Sequence, residues 1–178
     1  MKREIGLSLF PFQPTLGDAG AIELAAKLGA DAVDLSTSNA KFWDYRLPDS
    51  VYSRSDAEII EYFTALRERA ESLGIRVAQT HGRISGFINV KEEDEAFIEN
   101  ARLDCLAASV LGVDACVIHS VSTHYIGPDA PHELMRKLNF EMFSRILEHA
   151  KRYGVKIASE TFGNVSKYNV CDFFGQKI

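Results

Sequence analysis

Absences narrow this chain first. Its 178 residues hold three cysteines, five prolines and one tryptophan. Cys105, Cys116 and Cys171 are odd in number and far apart, and two of them fall inside predicted helix or strand. That pattern disfavours a disulfide framework or a thiolate metal site and is read as small buried thiols in a reduced protein. No stretch approaches the ~18 apolar residues of a membrane span, and Met1-Lys2-Arg3-Glu4 leads straight into Ile5–Phe10 without the longer apolar core of a secretory signal. The expectation is a cytoplasmic protein with no membrane contact. Formal net charge is −5 and no cluster of Lys and Arg stands out, so a nucleic-acid surface has no electrostatic support. Neither a Gly-x-Gly-x-x-Gly nor a Walker loop follows the first strand-like run, which removes the commonest phosphate-binding signatures.

What remains is ordinary in bulk and regular in order. With 46% hydrophobic and 25% charged residues, the chain can bury one core and is expected to be a single domain over 1–178. Ile5–Phe10 reads as a strand, followed by a turn with Pro11 and Pro14 and a helix from about Asp18 to Leu28 with Asp18 as N-cap. Ala32–Ser36 is a second strand. After a long polar and aromatic loop, a helix starting at Ser55 or Asp56 runs to Leu73, with Ile59, Ile60, Phe63, Leu66 and Ala70 along one face. Arg76–His81, Ala115–His119 and Lys156–Glu160 are three more strands, separated by helices over about 95–111 and 132–153. The helical charge runs Arg67-Glu68-Arg69 and Lys91 to Glu95 are expected to be solvated faces.

Gly29, Gly74, Gly112 and Gly154 stand between each helix and the strand that follows, where a helix C-cap calls for a left-handed residue. From glycine to strand-end polar residue the count is seven for Ser36, His81 and His119, and six for Glu160. Strand faces alternate with period two, so strict equivalence puts Thr161, not Glu160, beside the two histidines unless the connecting loop differs by one residue. Repeated strand-helix alternation implies a parallel sheet with right-handed crossovers. Length favours an open doubly wound sheet over a closed barrel of ~250 residues; the missing phosphate loops favour the barrel.

The segments "IGLSLFPF", "LGADAVDLS", "LGIRVAQTHG", "LGVDACVIHS" and above all "YGVKIASETFGN" resemble the sugar phosphate isomerase/epimerase family, the xylose isomerase-like TIM barrels that also include the apurinic-site endonucleases. The resemblance covers residues 4 to 164. It implies a (β/α)8 barrel of which this chain supplies roughly the first five βα units, so a C-terminally incomplete barrel is expected. It also implies a divalent metal (Mn, Mg, Zn or Co) at the mouth. By the same resemblance Glu160 is a metal ligand and a proton-transfer residue, and His81 and His119 line the pocket, touching substrate in the epimerases and metal in the endonucleases. The family's other ligands come from strands this chain lacks.

Isomerisation or epimerisation next to a carbonyl needs an electrophile on the oxygen, a base for the C–H and a pocket for the hydroxyls. Glu160 and His81 are the expected catalytic groups. His119, Trp43, Phe42 and Asn164 are the expected substrate contacts, and Glu160 with His81 and His119 the expected metal ligands. The ordinary alternatives are an ion-paired surface glutamate and solvated loop histidines. For Phe42, Trp43 and Tyr45 a lid over a sugar competes with an aromatic cluster that pins a long loop. Arg83 offers an anion contact, against a solvated side chain; His124 is read as exposed, and His132 and His149 as surface residues on a helix.

The leading expectation is therefore a metal-dependent isomerase or epimerase of a sugar, sugar phosphate or related polyol, with a small carbohydrate as substrate and no nucleic acid. A metal-dependent phosphodiesterase of the apurinic-site endonuclease type is the first alternative. The second is an inactive barrel fragment that self-associates through its open sheet edges. The 178-residue chain alone is expected to be inactive.

Overall fold

The computed structural model describes residues 3–160. Five strands alternate with helices along the chain: β1 (Gly6–Ser8), α1 (Gln13–Lys27), β2 (Ala32–Ser36), α2 (Asp56–Ser72), β3 (Arg76–His81), α3 (Lys91–Leu111), β4 (Ala115–His119), the short α4 (Thr123–Ile126), α5 (His132–Tyr153) and β5 (Lys156–Glu160). All neighbouring strands are parallel and their order in the sheet is β1-β2-β3-β4-β5. A doubly wound sheet reverses direction at a switch point, whereas a barrel adds each strand beside the last. Sequential order without reversal is barrel winding, so the conflict between length and motif resolves toward an incomplete barrel.

The helices begin and end where local chemistry dictates. Ser55 caps α2 in a reciprocal box with Glu58, with Asp56 and Glu58 in the first turn, and Ile59, Phe63, Leu66 and Ala70 form the buried stripe. Helices α3 and α5 end at Gly112 and Gly154, both at φ 72°, a conformation that a Cβ would disfavour. Two helices start earlier than periodicity suggests. Pro14 sits in the first turn of α1, which tolerates proline, and Gly17 at φ 67° interrupts the helix just before Asp18. Asp18 does not cap that second segment; its carboxylate accepts from Gln13 Nε2 at 2.6 Å and from the Tyr62 hydroxyl. Lys91 to Glu95 forms the opening turn of α3, where Glu92, Glu93 and Asp94 face the positive end of the helix dipole.

The core lies between helices and strands. Leu9, Val33, Leu35, Cys116 and Ile118 pack there against Ile22, Phe63, Leu103 and Ile146. Both Cys105 and Cys116 are buried free thiols; burial, with Asp104 adding, pushes Cys105 up to about 12 and Cys116 well above its usual range. Cys171 lies outside the described residues. The opposite face of the sheet carries Asp34, Ser36, Gln79, His81, Val117, His119, Ala158 and Glu160, placed together by register and alternation. On the edge strand β5, Ala158 and Glu160 are exposed. No helix among the described residues is long and apolar enough to cross a membrane.

Candidate metal centre at the carboxyl edge of the sheet

Two small irregularities place the chemistry. Two residues, Ala30-Asp31 and Val113-Asp114, separate β2 and β4 from their glycines, whereas a single residue, Ile75 or Val155, separates β3 and β5 from theirs. In β3 the register then shifts: Val33 pairs with Val77 but Asp34 with Gln79, so Ala78 is an extra residue. Such a bulge re-aims every side chain that follows it. It brings His81, rather than Thr80, opposite Ser36. β5 has the short connection without a bulge, and it runs in step with β4 so that Glu160 pairs with His119. The six-residue count at Glu160 is thus a shorter connection, and the glutamate shares the histidines' face.

The three side chains converge. His81 Nε2 lies 2.8 Å from His119 Nε2, and Glu160 Oε2 lies 3.5 Å from each. One ligand atom from each residue falls within 4.8 Å of the others. Two neutral imidazole nitrogens at contact distance must share a proton or a cation. Bonds of ~2.1 Å to a common ion hold neighbouring ligand atoms about 3 to 3.5 Å apart, so these three groups fit a divalent metal with only a slight opening of the histidine pair. A donor set of two imidazoles and one carboxylate suits several divalent ions and does not select among them.

Electrostatics makes the two histidines unequal. Asp34, whose Oδ2 lies 3.6 Å from His81 Nδ1, is the main influence raising the His81 pKa; it outweighs burial, and Glu160 and Asp104 add to it. Burial, reinforced by His81, lowers that of His119. His81 is thus backed by a carboxylate on the far side of its ring, the arrangement that orients an imidazole toward a metal. Backbone bonds hold both strands' ends: Thr37 N–H donates to the His81 carbonyl at 2.8 Å, and His119 N–H to the Arg83 carbonyl at 2.9 Å.

The remaining sequence-predicted residues fall in different places. Trp43 is 5% exposed and packs on Phe63, stacked at 5.7 Å, and edge-on to Tyr52 at 5.0 Å. Of the two readings of this residue, the packing is that of the aromatic cluster that pins the loop, and a buried ring is not the open substrate contact expected of Trp43. Phe42 is half exposed, and both residues line a cleft of about 440 Å³ with Phe10, Gln13, Asp18 and Ser36. That cleft lies beside the centre, next to β2, and does not include the two histidines or Glu160. Arg83 is neither solvated nor an open anion contact; it is buried against Asp104. His124 is exposed on α4, while His132 and His149 are half-buried on α5. Asn164 lies outside the described residues. Sequence reasoning passes over Asp34 and Asp104. Each carries one usable signal: a carboxylate inside an apolar strand, and a carboxylate on the stripe Phe97, Ala101, Asp104, Ala108, Leu111 of a buried helix face.

Known structures share this architecture. The E. coli 3-keto-D-glucoside 4-epimerase YcjR superposes with a TM-score of 0.65 at 13% identity, over 90% of this chain and 57% of its own. The zinc-bound IOLI protein gives 0.59 at 20% identity, over 90% and 52%. Endonuclease IV from Thermus thermophilus gives 0.52 at 24% identity, over 92% and 53%. The chain thus spans about half the length of the solved structures it matches. No curated protein sequence matches it. Residues 22–173 match the xylose isomerase-like TIM barrel family, and the chain belongs to that family.

Proposed function

We propose that this chain contributes the first half of the pocket of a metal-dependent isomerase or epimerase acting on a sugar, sugar phosphate or related polyol. One observation carries the proposal: two imidazoles and a carboxylate from three successive strands converge at the carboxyl edge of the sheet, where barrel enzymes collect their reactive groups. His81, His119 and Glu160 are the residues that would hold a divalent ion, which when bound supplies the electrophile that polarises a substrate carbonyl. Glu160 has a second part to play. Its side chain is 52% exposed, so one carboxylate oxygen is open to accept the proton from the carbon beside that carbonyl. His81, braced by Asp34, and His119, tied through its N–H to the Arg83 carbonyl, keep the donor atoms in place.

The neighbours include sugar epimerases and an endonuclease, so the substrate class needs a direct test. A net charge of −5 without a basic cluster supports the carbohydrate reading over DNA. The purified chain is expected to take up about one divalent ion per molecule, read by elemental analysis after dialysis. Glu160→Ala is expected to weaken that uptake about 100-fold. Uptake by the variant equal to the parent would sink the assignment of Glu160. Assayed in the complete barrel, turnover of a ketohexose panel with no cleavage of an abasic duplex is the expected pattern, and the reverse pattern would make the protein an endonuclease.

The proposal extends to assembly. β1 and β5 form the two edges of the described sheet, and unpaired strand edges invite pairing with another chain. The isolated chain is expected to sediment as a dimer or larger species at micromolar concentration. A monomer at every concentration would exclude association through those edges.

A further inference from the structure

A buried ion pair lies directly behind the candidate metal centre. Asp104, on α3, is fully buried, and its carboxylate accepts from Arg83 Nε at 2.9 Å, the Tyr52 hydroxyl at 2.7 Å and Thr37 Oγ1 at 2.7 Å. Arg83 spends its other nitrogens on main-chain carbonyls, of Trp43 at 2.5 Å and of Thr37. The cluster therefore ties α3 to the exits of β2 and β3 and to the loop beyond. Gly82 is the space that admits it: a Cβ there would meet Asp104 Oδ2 at 2.7 Å and Cys116 Sγ at 3.1 Å.

Two members of this cluster also hold the histidines. Thr37 donates to the His81 carbonyl through its N–H at 2.8 Å and approaches it with its hydroxyl at 3.4 Å. Arg83 offers its own carbonyl to the His119 N–H at 2.9 Å. One backbone anchor of each histidine is thus fixed by a residue whose side chain is fixed by Asp104. Stability alone does not call for this arrangement, since an ion pair buried this deeply often gives no more stability than an apolar pair of the same shape.

We propose that Asp104, Arg83 and Thr37 are positioning residues: their buried network sets the spacing of the His81 and His119 backbones and so the mutual placement of the two Nε2 donors. This rests on the metal-centre reading above. None of the three is among the side chains that converge at the centre. They act through the histidines, and partners that orient metal ligands typically change metal affinity by about 10- to 100-fold when removed.

Cobalt(II) provides the test, because its visible absorption reports ligand geometry and competition with a chromophoric chelator reports affinity. Thr37→Val removes the hydroxyl and keeps the shape and the N–H; it is expected to lower Co²⁺ affinity about 10-fold and to alter the visible bands. Asp104→Asn is expected to do the same more strongly. Should Asp104→Asn fail to fold, Thr37→Val still decides the matter. Arg102→Ala is the control: it breaks a network with Asp56, Glu99 and the Tyr153 hydroxyl, lowering thermal stability while leaving the Co²⁺ bands unchanged. Folded Thr37→Val with the parent's Co²⁺ affinity and spectrum would overturn the positioning role alone. Failure of the parent chain to bind Co²⁺ would overturn the metal centre and this role with it.

Discussion

Asp104→Ala is expected to cost about 3–5 kcal/mol of folding stability, the range observed when one partner of a buried ion pair is removed. The Arg83 side chain is only 6% exposed and, among the described residues, Asp104 is its one carboxylate partner, so the substitution leaves a guanidinium without counter-charge in a water-poor site. Tyr52 and Thr37 lose their acceptor at the same time, and unpaired buried hydroxyls add to the penalty. The double variant Arg83→Met with Asp104→Leu is expected to recover most of the loss, because it removes the charges together. Urea denaturation of both proteins reads the difference. A single variant within about 1 kcal/mol of the parent would mean that water reaches Arg83 and that the cluster is not sealed.

Phe63→Ala ranks beside it, at about 3–5 kcal/mol, the usual cost of emptying a phenylalanine site in a packed core. Phe63 is fully buried and touches Trp43, Tyr52 and Tyr62 with ring centroids 5.3 to 6.4 Å away. The cavity opens under the loop that Trp43 pins, so the effect on that loop exceeds the loss of area alone. Trp43 is the only tryptophan in the chain, which makes its fluorescence a local report. Its emission is expected to shift to the red in the variant before global unfolding. An unchanged emission maximum would show that the loop is held by Tyr52 and Tyr62 without Phe63.

Much of the architecture is legible in the sequence because hydrophobic periodicity and the glycine punctuation act locally. Each strand, and each long helix, follows from its own ten or twenty residues. Periodicity places the helix starts too late at Gln13 and Lys91 because neither helix opens with a side-chain cap. The site is half legible. His81, His119 and Glu160 announce themselves as polar residues closing apolar strands. Their common facing does not, since Ala78 looks like any strand residue and carries no glycine or proline to mark a bulge. Arg83 escapes for a different reason: its partner sits 21 positions away on another element, and one sequence cannot pair them. Trp43 stays ambiguous between lid and anchor until Phe63 is placed beneath it.

The bulge at Ala78 and the one-residue connection before β5 also say how this pocket can be edited. Strand side chains obey parity, so one residue added or removed between a capping glycine and its strand exchanges the whole inner set for the outer. The β3 strand has the short connection and an added residue within it, two odd steps that cancel; β5 has the short connection and a ligand one step earlier, which cancels likewise. An insertion after Val155 would therefore act as a structural frameshift, turning Ser159 and Ile157 toward the histidines while leaving every residue of the strand unmutated. Single-residue gaps at these helix-to-strand joints are the changes to watch when related chains are compared, since they can switch off the centre without touching a ligand.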